Sequence, residues 1–270
     1  GKTPMVDFLI GLLLRRGKRV AVVSRGYGGR GVAGVAVVAS GDGSGPLLAS
    51  EICGDEPYLL SRRNPSAVIL VARRRAEGVR LAVERYRADV VILDDGFQHL
   101  AVARDLDLVL LDARRPLGNG RVLPAGLLRE FPSALRRAPM LVLTRSVGAE
   151  APPLPTVAPR LRCRHKLAAE AVSLAGDVVP LTTLAGRRCI AFAGIADPSD
   201  FFRSLAESGI APAAVLALPD HAVYDAATLE RLAAAAADAE FLVTTEKDGV
   251  KLRPEPVSYT HLTLPTNREV

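Results

Sequence analysis

Short uninterrupted apolar runs, several of them closing on a small or acidic residue, alternate along this chain with stretches whose apolar side chains recur at helical spacing. Such runs mark strands buried on both faces of a parallel sheet, and the intervening periodicity marks the helices that cover it. Val6, Leu9, Ile10, Leu13 and Leu14 predict a helix over 2–16, closed by Gly17 as a C-cap. Strands follow at 19–24, 67–71, 90–93, 106–111 and 140–144, with helices starting at Gly54-Asp55-Glu56-Pro57 and running from the Arg73-Arg74-Arg75 triplet to about 88. Residues 32–50 read as a hairpin, with one arm at 35–39 and a turn at Gly41-Asp42-Gly43. The alternation predicts an α/β fold, a doubly wound, mainly parallel sheet with right-handed crossovers.

The Pro-rich stretch 149–159 reads as a linker, and 161–173 and 178–184 as extended segments. From Arg187 a second, smaller α/β unit shows its own pattern: strands at 189–193, 214–218 and 241–244, with helices at about 198–207 and 226–237. The expected organisation is a core over 1–150, a linker over 151–186 and the smaller domain over 187–256. The Thr-rich, Ala-free stretch 257–270 departs from the style of everything before it and is set aside as foreign.

Candidate chemistry gathers at the carboxyl ends of the strands, where open α/β sheets bind ligands. The run Val90-Val91-Ile92-Leu93 meets Asp94-Asp95-Gly96-Phe97-Gln98-His99. Consecutive side chains on a strand point to opposite faces, so only one of the two aspartates faces a bound ion directly. The chain opens Gly1-Lys2-Thr3, the close of a G-x-x-x-x-G-K-[ST] phosphate loop, here running into a helix N-terminus. An apolar strand ending in Asp is the usual partner of such a P-loop, sharing Mg²⁺ with its Ser/Thr. Further polar loops follow other strands: Ser24-Arg25-Gly26-Tyr27-Gly28-Gly29-Arg30, Gly118-Asn119-Gly120-Arg121, Leu128-Arg129-Glu130, Pro219-Asp220-His221 and Thr245-Glu246-Lys247-Asp248. Taken singly, each has an ordinary reading as a turn, a helix cap or a solvated face; Asp55, at a helix start, is by itself a capping residue.

Composition narrows the partners. The 270 residues carry a net charge of +6, which suits an anionic substrate or membrane surface; the basic residues lack the interleaved aromatics of a nucleic-acid binder. Aromatic content of 4%, without Trp, implies aliphatic cores. The three cysteines have neither paired spacing nor a His motif beside them and read as free thiols in a reducing compartment. No stretch reaches transmembrane length.

Taken together and in order over about 1–252, these motifs resemble the tetraacyldisaccharide 4′-kinases of lipid A biosynthesis, above all through Asp-Asp-Gly-Phe-Gln-His and Gly-Asn-Gly-Arg. The resemblance implies transfer of the ATP γ-phosphate to the 4′-hydroxyl of an acylated glucosamine disaccharide 1-phosphate, giving lipid IV-A, by a peripheral enzyme at the cytoplasmic face of the bacterial inner membrane. It further implies ATP and Mg²⁺ as cofactors, with Lys2, beside Gly1, on the β/γ-phosphates and Thr3, Asp95 and Glu130 serving the metal. Asp55 becomes the base that accepts the hydroxyl proton, assisted by His221 from the second domain. Arg75, Arg129, Asp94, Gln98 and His99 fall near the phosphates or the lipid head group. In the family, further phosphate-loop glycines, a strand and an apolar membrane-contacting helix precede this stretch, so weak ATP binding is expected of the chain as it stands. The alternative is a P-loop kinase or NTPase acting on a small soluble substrate. A guanine-reading Asn-Lys-x-Asp and a Cys-rich metal motif are both missing from the sequence.

Overall fold

The computed structural model describes residues 2–30, 33–146, 153–220, 222–252, 260–264 and 266–269, the last two segments by backbone alone. Helix α1 (Lys2–Arg15) ends at Gly17, whose φ of 70° is the left-handed turn expected of a C-cap glycine. Then come β1 (Val20–Ser24), β2 (Val35–Ser40), α2 (Ser50–Cys53), α3 (Asp55–Arg63), β3 (Val68–Ala72), α4 (Arg75–Glu84) and β4 (Val90–Leu93). They build a sheet of order β2-β3-β1-β4 in which β1 lies parallel to both β3 and β4. β1 and β3 are buried along their whole length. Their alternate residues feed two cores: Val20, Val22, Ile69 and Val71 pack with Val6 and Ile10 of α1 and Leu60 of α3, while Ala21, Val23, Leu70 and Ala72 pack with Ala82 of α4. Helices on both faces explain why these strands read as continuous apolar runs.

The expected hairpin over 32–50 does not form within the described residues. β2 is present, but it pairs antiparallel with β3, with a register break between Val37 and Ala39. After the Gly41 turn the chain folds back far enough for Leu47 N to donate to Val38 O at 2.7 Å, but the Gly/Ser/Pro-rich segment builds no second strand and runs on through bends to α2.

β5 (Leu108–Asp112), β6 (Met140–Thr144) and β7 (Arg160–Arg162) form a second, parallel sheet. Among the described residues β4 and β5 each pair on one side only. They face a shared apolar groove of about 880 Å³, which Met5, Leu9 and Leu12 of α1 also line. This is why β4 and β5 are half-buried although their sequences are as apolar as those of β1 and β3.

The remaining elements are β8 (Arg164–Leu167), β9 (Glu170–Ser173), β10 (Val178–Pro180), β11 (Cys189–Ala193), α5 (Pro198–Glu207), β12 (Ala214–Ala217), α6 (Ala226–Ala235), β13 (Phe241–Thr245), α7 (Glu246–Gly249), β14 (Thr260–Leu264) and β15 (Thr266–Glu269). A mixed sheet runs β10-β9-β14-β13-β11-β12, and β15 pairs with β8. Thus β9 and β10, from the stretch read as linker, and β14, from the stretch set aside, share one sheet with the second unit. Residues 181–184, expected to be extended, form a 3₁₀ turn instead, because Leu181 and Leu184 then fall on one face and both bury.

Charged pairs tie the two units together. Arg63 of α3 contacts Asp7 of α1 at 3.0 Å and Glu246 of α7 at 3.7 Å. Arg145, just past β6, contacts Asp112 of β5 at 2.8 Å, Asp197 at 3.0 Å and Asp200 of α5 at 2.5 Å.

Candidate active site

The carboxyl end of β4 is the centre of the site. Asp94 is 4% exposed and accepts a hydrogen bond from the Ser24 hydroxyl at 3.3 Å, with its other oxygen buried and unpaired. Burial pushes its pKa up, the nearby Glu56 carboxylate adds to the push, and Lys2 opposes it. Asp95 follows in the left-handed conformation, φ 55°, which turns the chain at the sheet rim and sends its carboxylate outward. There Lys2 Nζ lies 2.8 Å from one oxygen and Arg129 donates to the other at 2.7 Å. Burial raises the Asp95 pKa, but the hydrogen bonds and charges of Lys2 and Arg129 outweigh it and hold the group low. Two adjacent carboxylates therefore occupy opposite environments, as strand alternation requires.

Arg75, the first residue of α4, is buried beneath the site: it donates to Ala72 O at 2.6 Å and reaches Asp94 O at 3.5 Å. Desolvation lowers its pKa, with the Asp94 charge working against that shift. An arginine 4% exposed, its Nε unpaired, at the end of β3 is no solvated face.

The glycine-rich loop after β1 packs on the start of α3. Gly54 has φ 92°, and a Cβ there would stand 2.6 Å from Tyr27 O; a Cβ at Gly29 would stand 2.4 Å from Ile52 O. These glycines let two sequence motifs touch through their backbones. The contact fixes Asp55, whose carboxylate lies 3.1 Å from Lys251 Nζ. Lys251 comes from the second unit, so Asp55 sits at the junction of the two. His221, the expected assistant of Asp55, and Gly1 lie outside the described residues.

The remaining candidates are more dispersed. Glu130 pairs with Arg137 at 2.8 Å, and Arg137 stacks over the Phe97 ring at 4.8 Å. Gln98 is exposed, His99 is half-buried with its carbonyl accepting from Arg104 at 2.6 Å, and Thr3 is half-buried on the first turn of α1. Among the described residues, no cluster of three or more His, Cys, Asp or Glu side chains forms a ready metal cage. The structure thus brings Lys2, Asp94, Asp95, Arg75 and Arg129 together, and places Asp55 with Lys251. Lys251 escaped the sequence reading; the available signal was its place three residues beyond Asp248, one helical turn past the Thr-Glu-Lys-Asp motif.

The whole chain, residues 1–270, matches the family model described as Tetraacyldisaccharide-1-P 4′-kinase. The chain belongs to this family. It is 54% identical to the tetraacyldisaccharide 4′-kinase of Syntrophotalea carbinolica over 98% of this chain and 72% of that protein. It is 50% identical to that of Geobacter metallireducens over 94% of this chain and 75% of that protein. Among solved structures, LpxK from Aquifex aeolicus in complex with ATP superposes with a TM-score of 0.79 at 33% identity, covering all of this chain and 79% of that one. The α/β kinase fold and the kinase class anticipated from the motifs are thereby established.

Proposed function

We propose that this protein transfers the γ-phosphate of ATP to the 4′-hydroxyl of a tetraacylated glucosamine disaccharide 1-phosphate, yielding lipid IV-A. The observation that carries the reading is the convergence of Lys2 and Arg129 on Asp95 at the carboxyl end of β4, in a chain of this family. Phosphoryl transfer asks a protein mainly for positioning and charge stabilisation, which two cations at a sheet rim supply. Lys2 and Arg129 would hold phosphate oxygens of bound ATP, and Asp95 would then serve the metal side. The oxygen donors Thr3, Asp95 and Glu130 suit a hard cation that keeps several waters, and they would hold Mg²⁺, which when bound neutralises charge on the β- and γ-phosphates. Buried Arg75 and Asp94 support this rim from below, and Gln98 and His99 extend it towards the acceptor. Asp55, with His221, accepts the proton of the attacking hydroxyl.

The acylated acceptor is supported by the surface around Arg129. Leu123, Leu127 and Phe131 are 62%, 88% and 69% exposed, unusual for such side chains beside a charged site, and the exposed Arg121 belongs to the same loop, its carbonyl accepting from Leu128 N at 3.2 Å. Apolar tips with arginines suit an anionic lipid surface. No helix among the described residues is long and apolar enough to cross a membrane. Membership of this family and the apolar tips around Arg129 support a peripheral position at the cytoplasmic face of the inner membrane. The test compares labelled phosphate transfer to the acylated disaccharide 1-phosphate in micelles with transfer to its deacylated form in buffer. Turnover only of the acylated form is expected; equal turnover of the soluble form moves the assignment to a small soluble acceptor.

A further inference from the structure

Lys251, together with the ring of Tyr224, has a role that the reaction as outlined leaves out. We propose that Lys251 is a positioning residue for catalysis: it reaches from the second unit to fix the carboxylate of Asp55 in the first. The inference rests on the assignment of Asp55 as the base. Lys251 lies two residues past the end of α7 and is largely buried, 13% exposed against 18% for Asp55, so the pair at 3.1 Å is shielded from solvent. Its ammonium also donates to Ala222 O at 3.3 Å and lies 6.0 Å from the centre of the Tyr224 ring, leaving little freedom to swing away.

The seat beneath Lys251 is itself rigid. Asp248 is fully buried, and one of its oxygens accepts from Gly194 N at 3.0 Å and from the Thr245 hydroxyl at 2.7 Å. That carboxylate pins the β13–α7 turn to the loop after β11, and Lys251 N donates to Asp248 O at 3.0 Å. The Tyr224 hydroxyl is buried against the same carboxylate, and its ring meets Phe192 edge-on at 6.0 Å. A solvent-exposed surface pair needs no such foundation. This one is built from a buried turn and ends at the group that must meet the acceptor hydroxyl.

The experiment is a double-mutant cycle on the full-length protein, with Lys251→Met, Lys251→Arg, Asp55→Asn and the Lys251→Met/Asp55→Asn pair, reading kcat and KM for ATP. If Lys251 acts through Asp55, Lys251→Met lowers kcat by roughly tenfold to a hundredfold with KM for ATP unchanged. Lys251→Arg then recovers most of the loss, and Lys251→Met costs nothing further once Asp55 is Asn. A merely structural lysine gives additive losses, or a fall mirrored by lost folded protein in thermal unfolding; either overturns the proposal while leaving Asp55 as base. Full activity of Asp55→Asn overturns the base assignment, and the positioning role with it.

Discussion

Asp94 and Asp95 are neighbours in the chain and opposites in setting: the first is sealed under the sheet rim with one oxygen unpaired, the second is gripped by Lys2 and Arg129. Strand alternation followed by a left-handed turn at Asp95 produces the split. Each carboxylate therefore answers differently to substitution.

Asp94 carries a raised pKa in the folded state, chiefly through burial. A group shifted in this direction favours the fold when protonated and opposes it once ionised, so its contribution is lost as pH rises through the folded value. Asp94→Asn is expected to raise the melting temperature at neutral pH while lowering phosphate transfer. The gain should fade as pH falls from the raised folded value towards the ordinary carboxyl value of 3.8, and be gone below it. Thermal unfolding across that range checks it; a destabilised Asp94→Asn protein contradicts it.

Arg129 reaches Asp95 in an exposed pair, so its removal matters little for stability. Its loss should instead appear in the reaction. Arg129→Ala is expected to cost about a hundredfold in kcat, the scale of removing one charge-stabilising donor, with an unchanged melting temperature. Matching losses in kcat and in stability would make the arginine structural.

Gly54 combines φ 92° with a Cβ position 2.6 Å from Tyr27 O. Gly54→Ala therefore meets both backbone strain and a clash with main chain, which cannot swing aside. We expect a loss of about 1–3 kcal/mol in denaturant unfolding, together with reduced transfer because Asp55 is the next residue. Wild-type stability in Gly54→Ala would refute the packing of the two loops.

Asp89, at the foot of β4, accepts three hydrogen bonds from Arg19, through its backbone N, Nε and Nη2. These hold its pKa down at about 2 against an ordinary 3.8. A depressed acid stabilises the fold above its unfolded value and loses that contribution as pH falls through its folded one. Asp89→Asn is expected to melt below wild type near neutrality, with the difference closing between pH 3.8 and about 2. A difference that persists at the acid end would place the effect in packing.

The sheet core was legible because its strands are covered on both faces: apart from Ser24 at the rim, Val20–Ser24 and Val68–Ala72 leave no polar position to confuse the pattern. The Asp94-Asp95 rim, Lys2 and Arg129 were legible as motifs at strand ends. Pairing partners were not. A run such as Val35–Ser40 shows that it is a strand without showing whether it meets a return arm or β3. Nor did the sequence disclose Lys251, since nothing local connects it to Asp55, far earlier in the chain; only the packing of α7 against α3 brings the two within 3.1 Å. Arg75 was ambiguous for a related reason, because an arginine triplet does not say which of its members turns inward.

The central claim is that this site phosphorylates an acylated sugar hydroxyl with Asp55 as the base. The most direct measurement follows labelled γ-phosphate from Mg-ATP to the tetraacyldisaccharide 1-phosphate in detergent micelles, for the wild-type protein and for Asp55→Asn. The account predicts a labelled lipid from the wild type and a rate lower by roughly a hundredfold or more in Asp55→Asn, the scale of general-base catalysis, with ATP binding retained. ATP binding without transfer to the lipid, or a fully active Asp55→Asn protein, would contradict it.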